Sequence, residues 1–145
     1  MVLGRRRLLV LGGGVLCAEA LGCGSGASDP VALQPQIPAG SAAGIAAGTL
    51  RPIPGAAVAV GRDGGGIFAL SLVCTHAGCD MSRNGSVSFG RIDCGCHGSI
   101  FDGQGNVLRG PANQPLPHLV VTVDASGALT IHGDQVTGPS TRLQA

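Results

Sequence analysis

The sequence predicts a small all-β domain, an antiparallel sandwich or barrel, and three observations carry that prediction. Beyond residue 22, no stretch sustains a helical period. Runs of about five residues rich in Val, Ile, Leu and Phe recur at close spacing, each bounded by Gly, Asp or Asn. The chain has 145 residues, enough for one domain of ordinary size with a lead-in.

The first 22 residues are set apart as an address. Gly4-Arg5-Arg6-Arg7-Leu8-Leu9 resembles a twin-arginine export signal, and the apolar run Leu8 to Ala18 has the length of a signal-peptide h-region. That run is shorter than the roughly 20 apolar residues a bilayer span needs. Two processing sites compete. Ala18-Glu19-Ala20 fits small-x-small cleavage, whereas Ala20-Leu21-Gly22-Cys23 resembles a lipoprotein box with Cys23 as the lipidated residue. The lipoprotein reading is preferred, because Gly22-Cys23-Gly24-Ser25-Gly26 opens directly into a flexible stretch. Residues 23–50, rich in Gly, Ala, Ser and Pro, are expected to be an anchor and linker, part of which could pack as a first strand.

The β signals begin at Ile53 and the domain is expected over residues 51–135. Ala57 to Val60 is a short strand, closed by the turn Arg62-Asp63-Gly64-Gly65-Gly66, and Ile67 to Val73 is the next. Val87 to Ile92 follows the turn Arg83-Asn84-Gly85. Leu119 to Val123 is a strand, and Asp124-Ala125-Ser126-Gly127 turns it into Leu129-Thr130-Ile131. Residues 136–145 read as a frayed tail. His118 and His132 carry no motif and are expected at exposed strand ends. Asp80, Asp93 and Asp102 read as turn formers.

Composition narrows the function. Without residues 1–22 the chain has six Arg against seven Asp, so it offers no basic patch to a nucleic acid. It has 26 Gly and three aromatic residues, all Phe. Such a core buries little area per residue and calls for a covalent or metal staple.

The cysteines supply candidates. Cys17 lies in the leader and Cys23 has the lipid reading. The other four fall into Cys74-Thr75-His76-Ala77-Gly78-Cys79 and Cys94-Gly95-Cys96-His97-Gly98-Ser99, fourteen residues apart. Two Cys and one His per box give six candidate ligands for a four-coordinate demand. Two Cys and two His for metal, with one disulfide between the remaining thiols, would use all six in an exported protein. Zinc boxes space their Cys by two to four residues, a pattern these boxes fit poorly.

The two boxes resemble those of the Rieske iron–sulfur family of cytochrome bc complexes and their relatives. The resemblance runs from about Ile53 to Gly133. It includes Gly110-Pro111-Ala112, which looks like the family's proline loop over the cluster. It implies an all-β fold with a small cluster-binding subdomain, residues 72–112, inserted in a larger sheet. It implies one [2Fe–2S] cluster, with Cys74 and Cys94 on the inner iron and His76 and His97 on the outer. Cys79 and Cys96 would form the disulfide of the respiratory type. Ser99 would donate to a cluster sulfide. Phe101 stands where high-potential members carry a Tyr, so the potential is expected below theirs. Ala77 stands where Leu is frequent at the cluster tip.

The function so implied is one-electron transfer on the periplasmic face of a bacterial membrane, in the iron–sulfur subunit of a quinol-oxidising complex. A membrane quinol would be the donor and a c-type cytochrome or similar carrier the acceptor. A small subunit of another exported oxidoreductase, arsenite oxidase-like, would instead take electrons from a redox enzyme subunit. A soluble ferredoxin serving an oxygenase is the third reading, against which export and the disulfide both speak.

Overall fold

The structure, a computed structural model, describes residues 31–145; the export signal, Cys17 and Cys23 lie outside the described residues. Among the described residues, ten strands form two antiparallel sheets. They are β1 (Ile37–Ser41), β2 (Thr49–Pro52), β3 (Val58–Asp63), β4 (Gly66–Ser71), β5 (Gly85–Ser88), β6 (Arg91–Cys94), β7 (Ile100–Phe101), β8 (Val107–Arg109), β9 (His118–Val123) and β10 (Ala128–Thr137). The larger sheet runs β1-β10-β9-β4-β3-β2 and the smaller β5-β6-β7-β8. The smaller sheet is thus an insertion between β4 and β9, as the resemblance implied.

The β3–β4 hairpin explains how the two parts are joined. Gly64 and Gly65 turn it, with the Gly65 N–H donating to the Asp63 carboxylate at 2.8 Å. Its residues are buried on both faces, which is why they read as an unbroken apolar run. The strand period of two then deals them into two cores. Val58, Val60, Ile67 and Ala69 pack with Ile37, Ile45, Leu119 and Ile131. Ala59, Phe68 and Leu70 pack with Leu72, Met81, Ile92, Phe101 and Leu116, and that second core also contains Cys74 and Cys94. Burying each large side chain contributes about 1.5–3 kcal/mol, so the hairpin is the shared wall on which the smaller sheet stands.

Several expectations are corrected. The linker does not extend to residue 50: β1 and β2 lie in that stretch and in its continuation, and Ile37, Ala39, Ala42 and Ile45 are core residues. Both strands lie at the edges of the larger sheet and both contain Pro, which an edge tolerates because one N–H row has no partner to lose. Val87 to Ile92 is not one strand; it spans the turn of the β5–β6 hairpin, with Val87 paired to Ile92. The last residues are not frayed. β10 continues to Thr137, and Leu143 exchanges two backbone hydrogen bonds with Ile67.

His118 is buried, not exposed, and its Nε2–H donates to the Gln104 carbonyl at 2.9 Å. Burial draws its pKa below the usual histidine value, against the pull of that carbonyl. His132 lies within β10, half-buried, 3.0 Å from the Thr122 hydroxyl.

Candidate metal centre

The two Cys-rich boxes fold as two copies of one turn. In the first, the Cys74 N–H donates to the Cys79 carbonyl and the Gly78 N–H to the Cys74 carbonyl, each at 2.9 Å. In the second, the Cys94 N–H donates to the Ser99 carbonyl at 2.9 Å and the Gly98 N–H to the Cys94 carbonyl at 3.0 Å. Gly78 and Gly98 close the turns with φ of 72° and 78°, a region that side chains with a Cβ rarely enter. Each box hangs on an apolar strand end or bridge: Val73 pairs with Asp80 around the first, and β6 leads into the second.

Packing then sorts the ligand candidates. Cys74 and Cys94 are free thiols, each 2% exposed. Burial pushes the Cys74 thiol up. The neighbouring Cys94 sulfur adds to that rise, while the His76 backbone N–H and the Ser99 hydroxyl pull against it. Without a counter-charge the Cys74 thiol is therefore held protonated, and a bound cation is what would release its proton. His76 and His97 are exposed, and their rings meet edge to face with centroids 4.9 Å apart. Cys79 and Cys96 form a disulfide joining the boxes, with Cα atoms 6.4 Å apart. The sulfurs of Cys79, Cys94 and Cys96 lie within 4.8 Å of one another. Two of those three are spent in the disulfide, so they make no three-thiolate site. The groups that could hold metal are Cys74, His76, Cys94 and His97: two adjacent sulfurs in an apolar floor and two imidazoles at the surface. Soft thiolates with imidazoles suit iron–sulfur chemistry, so the residues present fit a [2Fe–2S] cluster.

The segment after β8 braces both boxes. The Ser99 hydroxyl, fully buried, accepts from the Ala112 N–H at 2.9 Å. The Thr75 hydroxyl donates to the Gln114 carbonyl at 2.7 Å. Immediately before Ala112 lies the Gly110–Pro111 bond, which is cis, with Pro111 exposed and Ala112 buried. Phe101 is fully buried in the core that holds Cys74 and Cys94. The Asp102 carboxylate accepts from the Gln104 and Asn106 N–H groups, and Asp80 accepts from the Ser82 N–H, as turn formers do. Asp93 is instead paired with Arg91. Sequence reasoning did not find Thr75 or Arg109 as bracing residues. Their hydrogen bonds go to backbone carbonyls of distant residues, and no spacing rule signals such a bond.

Comparison with known proteins identifies the family. Residues 30–122 match the family model described as "Rieske [2Fe-2S] domain". The chain is 36% identical over 116 residues to a cytochrome b6-f complex iron-sulfur subunit of Cyanothece sp., covering 79% of this chain and 61% of that protein. It is 40% identical over 80 residues to a cytochrome bc1 complex Rieske iron-sulfur subunit of Corynebacterium diphtheriae, covering 52% of this chain and 20% of that one. Among solved structures, a cyanobacterial plasma membrane Rieske protein from Synechocystis PCC 6803 superposes with a TM-score of 0.47 at 28% identity, covering 66% of this chain and 97% of that one. The site and the family match together define an iron–sulfur protein whose domain binds one [2Fe–2S] cluster. The chain belongs to the Rieske [2Fe–2S] family. It spans about three fifths of the cyanobacterial relative and a fifth of the corynebacterial one.

Proposed function

We propose that this chain passes single electrons as the iron–sulfur subunit of a quinol-oxidising complex of the cytochrome bc type, with Cys74, His76, Cys94 and His97 as its cluster ligands. The observation that carries the reading is the sorting of the four groups: two buried free thiols behind two exposed, facing imidazoles. When bound, the cluster supplies a one-electron couple, and two neutral imidazoles in place of thiolates raise its potential to about −150 to +300 mV. The buried thiolates keep solvent from the inner side. The imidazoles are the part of the site a partner can reach, and the ring nitrogen not committed to metal, once it has lost its own proton, can accept a hydrogen bond from a quinol hydroxyl and take up that proton. The Cys79–Cys96 disulfide keeps the boxes together and suits an oxidising compartment.

The chain acts on the periplasmic face of a bacterial membrane, exported by residues 1–22 and anchored through a lipid on Cys23. Residues 23–32 would then be the tether and residues 33–145 the domain, since Leu33 already packs against the core of the larger sheet. Among the described residues no helix is long and apolar enough to cross a membrane. A c-type cytochrome or similar carrier takes the electron onward. Two relatives named as subunits of b6-f and bc1 complexes favour this partner set. Mild solubilisation of native membranes and affinity capture of this chain tests it. Recovery with a cytochrome b is expected, and recovery with a molybdenum-containing subunit would replace the quinol reading with the arsenite oxidase-like one.

A further inference from the structure

Arg109 ends β8, an edge strand of the smaller sheet, and pairs across the ladder with Ile100 just beyond the second box. Its side chain turns back onto that box. Nη2 and Nε lie 3.2 and 3.4 Å from the carbonyl oxygen of Gly98, the residue between His97 and Ser99. Among the described residues no carboxylate forms an ion pair with it. The acid that feels its charge is Asp93, and that carboxylate is already bonded to Arg91 at 2.7 Å and to the Ser86 hydroxyl at 3.1 Å. Arg109 is thus a fixed cation, unneutralised by direct contact, held against the turn that carries His97.

We propose that Arg109 is a positioning residue that raises the reduction potential of this centre by its charge while holding the Gly98 turn. The inference rests on the ligand assignment given under Proposed function. Reduction adds one electron, and so one negative charge, to the site; a nearby fixed cation favours the state that carries it. Arg109 is exposed, so the effect is that of a screened surface charge, about threefold in the reduction equilibrium constant. At roughly 59 mV per tenfold, threefold is about 28 mV.

The test is an EPR-monitored redox titration of the loaded, full-length protein and its Arg109→Gln, Arg109→Lys and Arg109→Glu variants. It is run at about 10 mM and again at about 1 M salt, where the Debye length falls from roughly 30 Å to 3 Å. Arg109→Gln should lower the potential by about 28 mV at low salt. Arg109→Lys should retain most of the native value, and Arg109→Glu should fall further than Arg109→Gln. All differences should contract at high salt. Coincident potentials at low salt, a Lys variant that falls as far as Gln, or a shift that persists undiminished at high salt would each overturn the proposal. If Arg109→Gln fails to load, the Lys and Glu variants decide it by the same criteria. Absence of an iron–sulfur signal in the unsubstituted protein would instead count against the ligand assignment.

Discussion

Replacing Arg142 with Met should loosen the smaller sheet from the larger one, because this side chain is shared between them. Its Nε lies 2.8 Å from Oδ2 of Asp63, in the β3–β4 turn, and its Nη2 lies 2.5 Å from Oε1 of Gln104, between β7 and β8. The guanidinium also sits 4.5 Å above the centre of the Phe68 ring. The two charged side chains are 12% and 21% exposed, too buried for the pair to count as a surface ion pair. A hydrogen bond to a charged group contributes about 1.5–3 kcal/mol, and the partial exposure here brings the pair to the lower end, so about 2 kcal/mol is expected in all.

At about 4 °C per kcal/mol for a domain of this size, that is a fall of roughly 8 °C in apparent Tm at a fixed scan rate. The pH dependence adds a second check. Burial raises the Asp63 carboxyl, but Arg142 and the backbone N–H groups of Gly65 and Gly66 outweigh it and hold it below the usual value. A carboxylate whose folded pKa is lowered contributes stability that is present above its unfolded pKa, about 3.9, and lost as pH falls through the lower folded value. Arg142→Met should therefore lose less stability than the native protein between about pH 5 and pH 2. Scanning calorimetry across that range is the assay. A Tm within about 2 °C of native at neutral pH, or an unchanged acid loss, would refute the reasoning.

Four further outcomes are expected. Phe101→Tyr places a hydroxyl on a ring in the same core as Cys74; a hydrogen bond to that sulfur should raise the potential by some tens of millivolts in protein-film voltammetry, at roughly 59 mV per tenfold. Ser99→Ala removes a donor beside Cys74 and should lower it. It also strands the buried Ala112 N–H, at a cost of about 1–3 kcal/mol in denaturant titration. Cys79→Ala with Cys96→Ala opens a crosslink between residues 17 apart in sequence; about 3 kcal/mol should be lost, and iron release into a chelator should quicken. Cys23→Ala should move the protein from the membrane to the periplasmic fraction, and retention in the membrane would show that the anchor is not this lipid.

How much was legible follows from where the signals reside. The boxes are local in sequence, so their six Cys and His candidates could be singled out without any structure, and the family resemblance then named Cys74, His76, Cys94 and His97 among them as ligands. The β3–β4 and β9–β10 hairpins were legible because Asp63-Gly64-Gly65 and Asp124-Ala125-Ser126-Gly127 are strong turn formers and the flanking runs are apolar. Edge strands β1 and β2 were obscured by Pro and Gly, which an edge accommodates and a propensity reading penalises. β7 and β8 are two and three residues long, too short for a period to register. His118 looked exposed because nothing local reveals that the carbonyl of Gln104 and the ring of Phe68 close over it. Arg142 acquires its partners only when the chain's last residues return to the β3–β4 hairpin, 79 residues back.

Pulsed EPR of the reduced protein tests the central claim most directly, with histidine supplied as the nitrogen-15 form. Ligation by His76 and His97 predicts a rhombic signal coupled to two inequivalent imidazole nitrogens, in a protein holding two irons and two acid-labile sulfides. A signal without imidazole nitrogen coupling, or stoichiometric zinc with no labile sulfide, would contradict it.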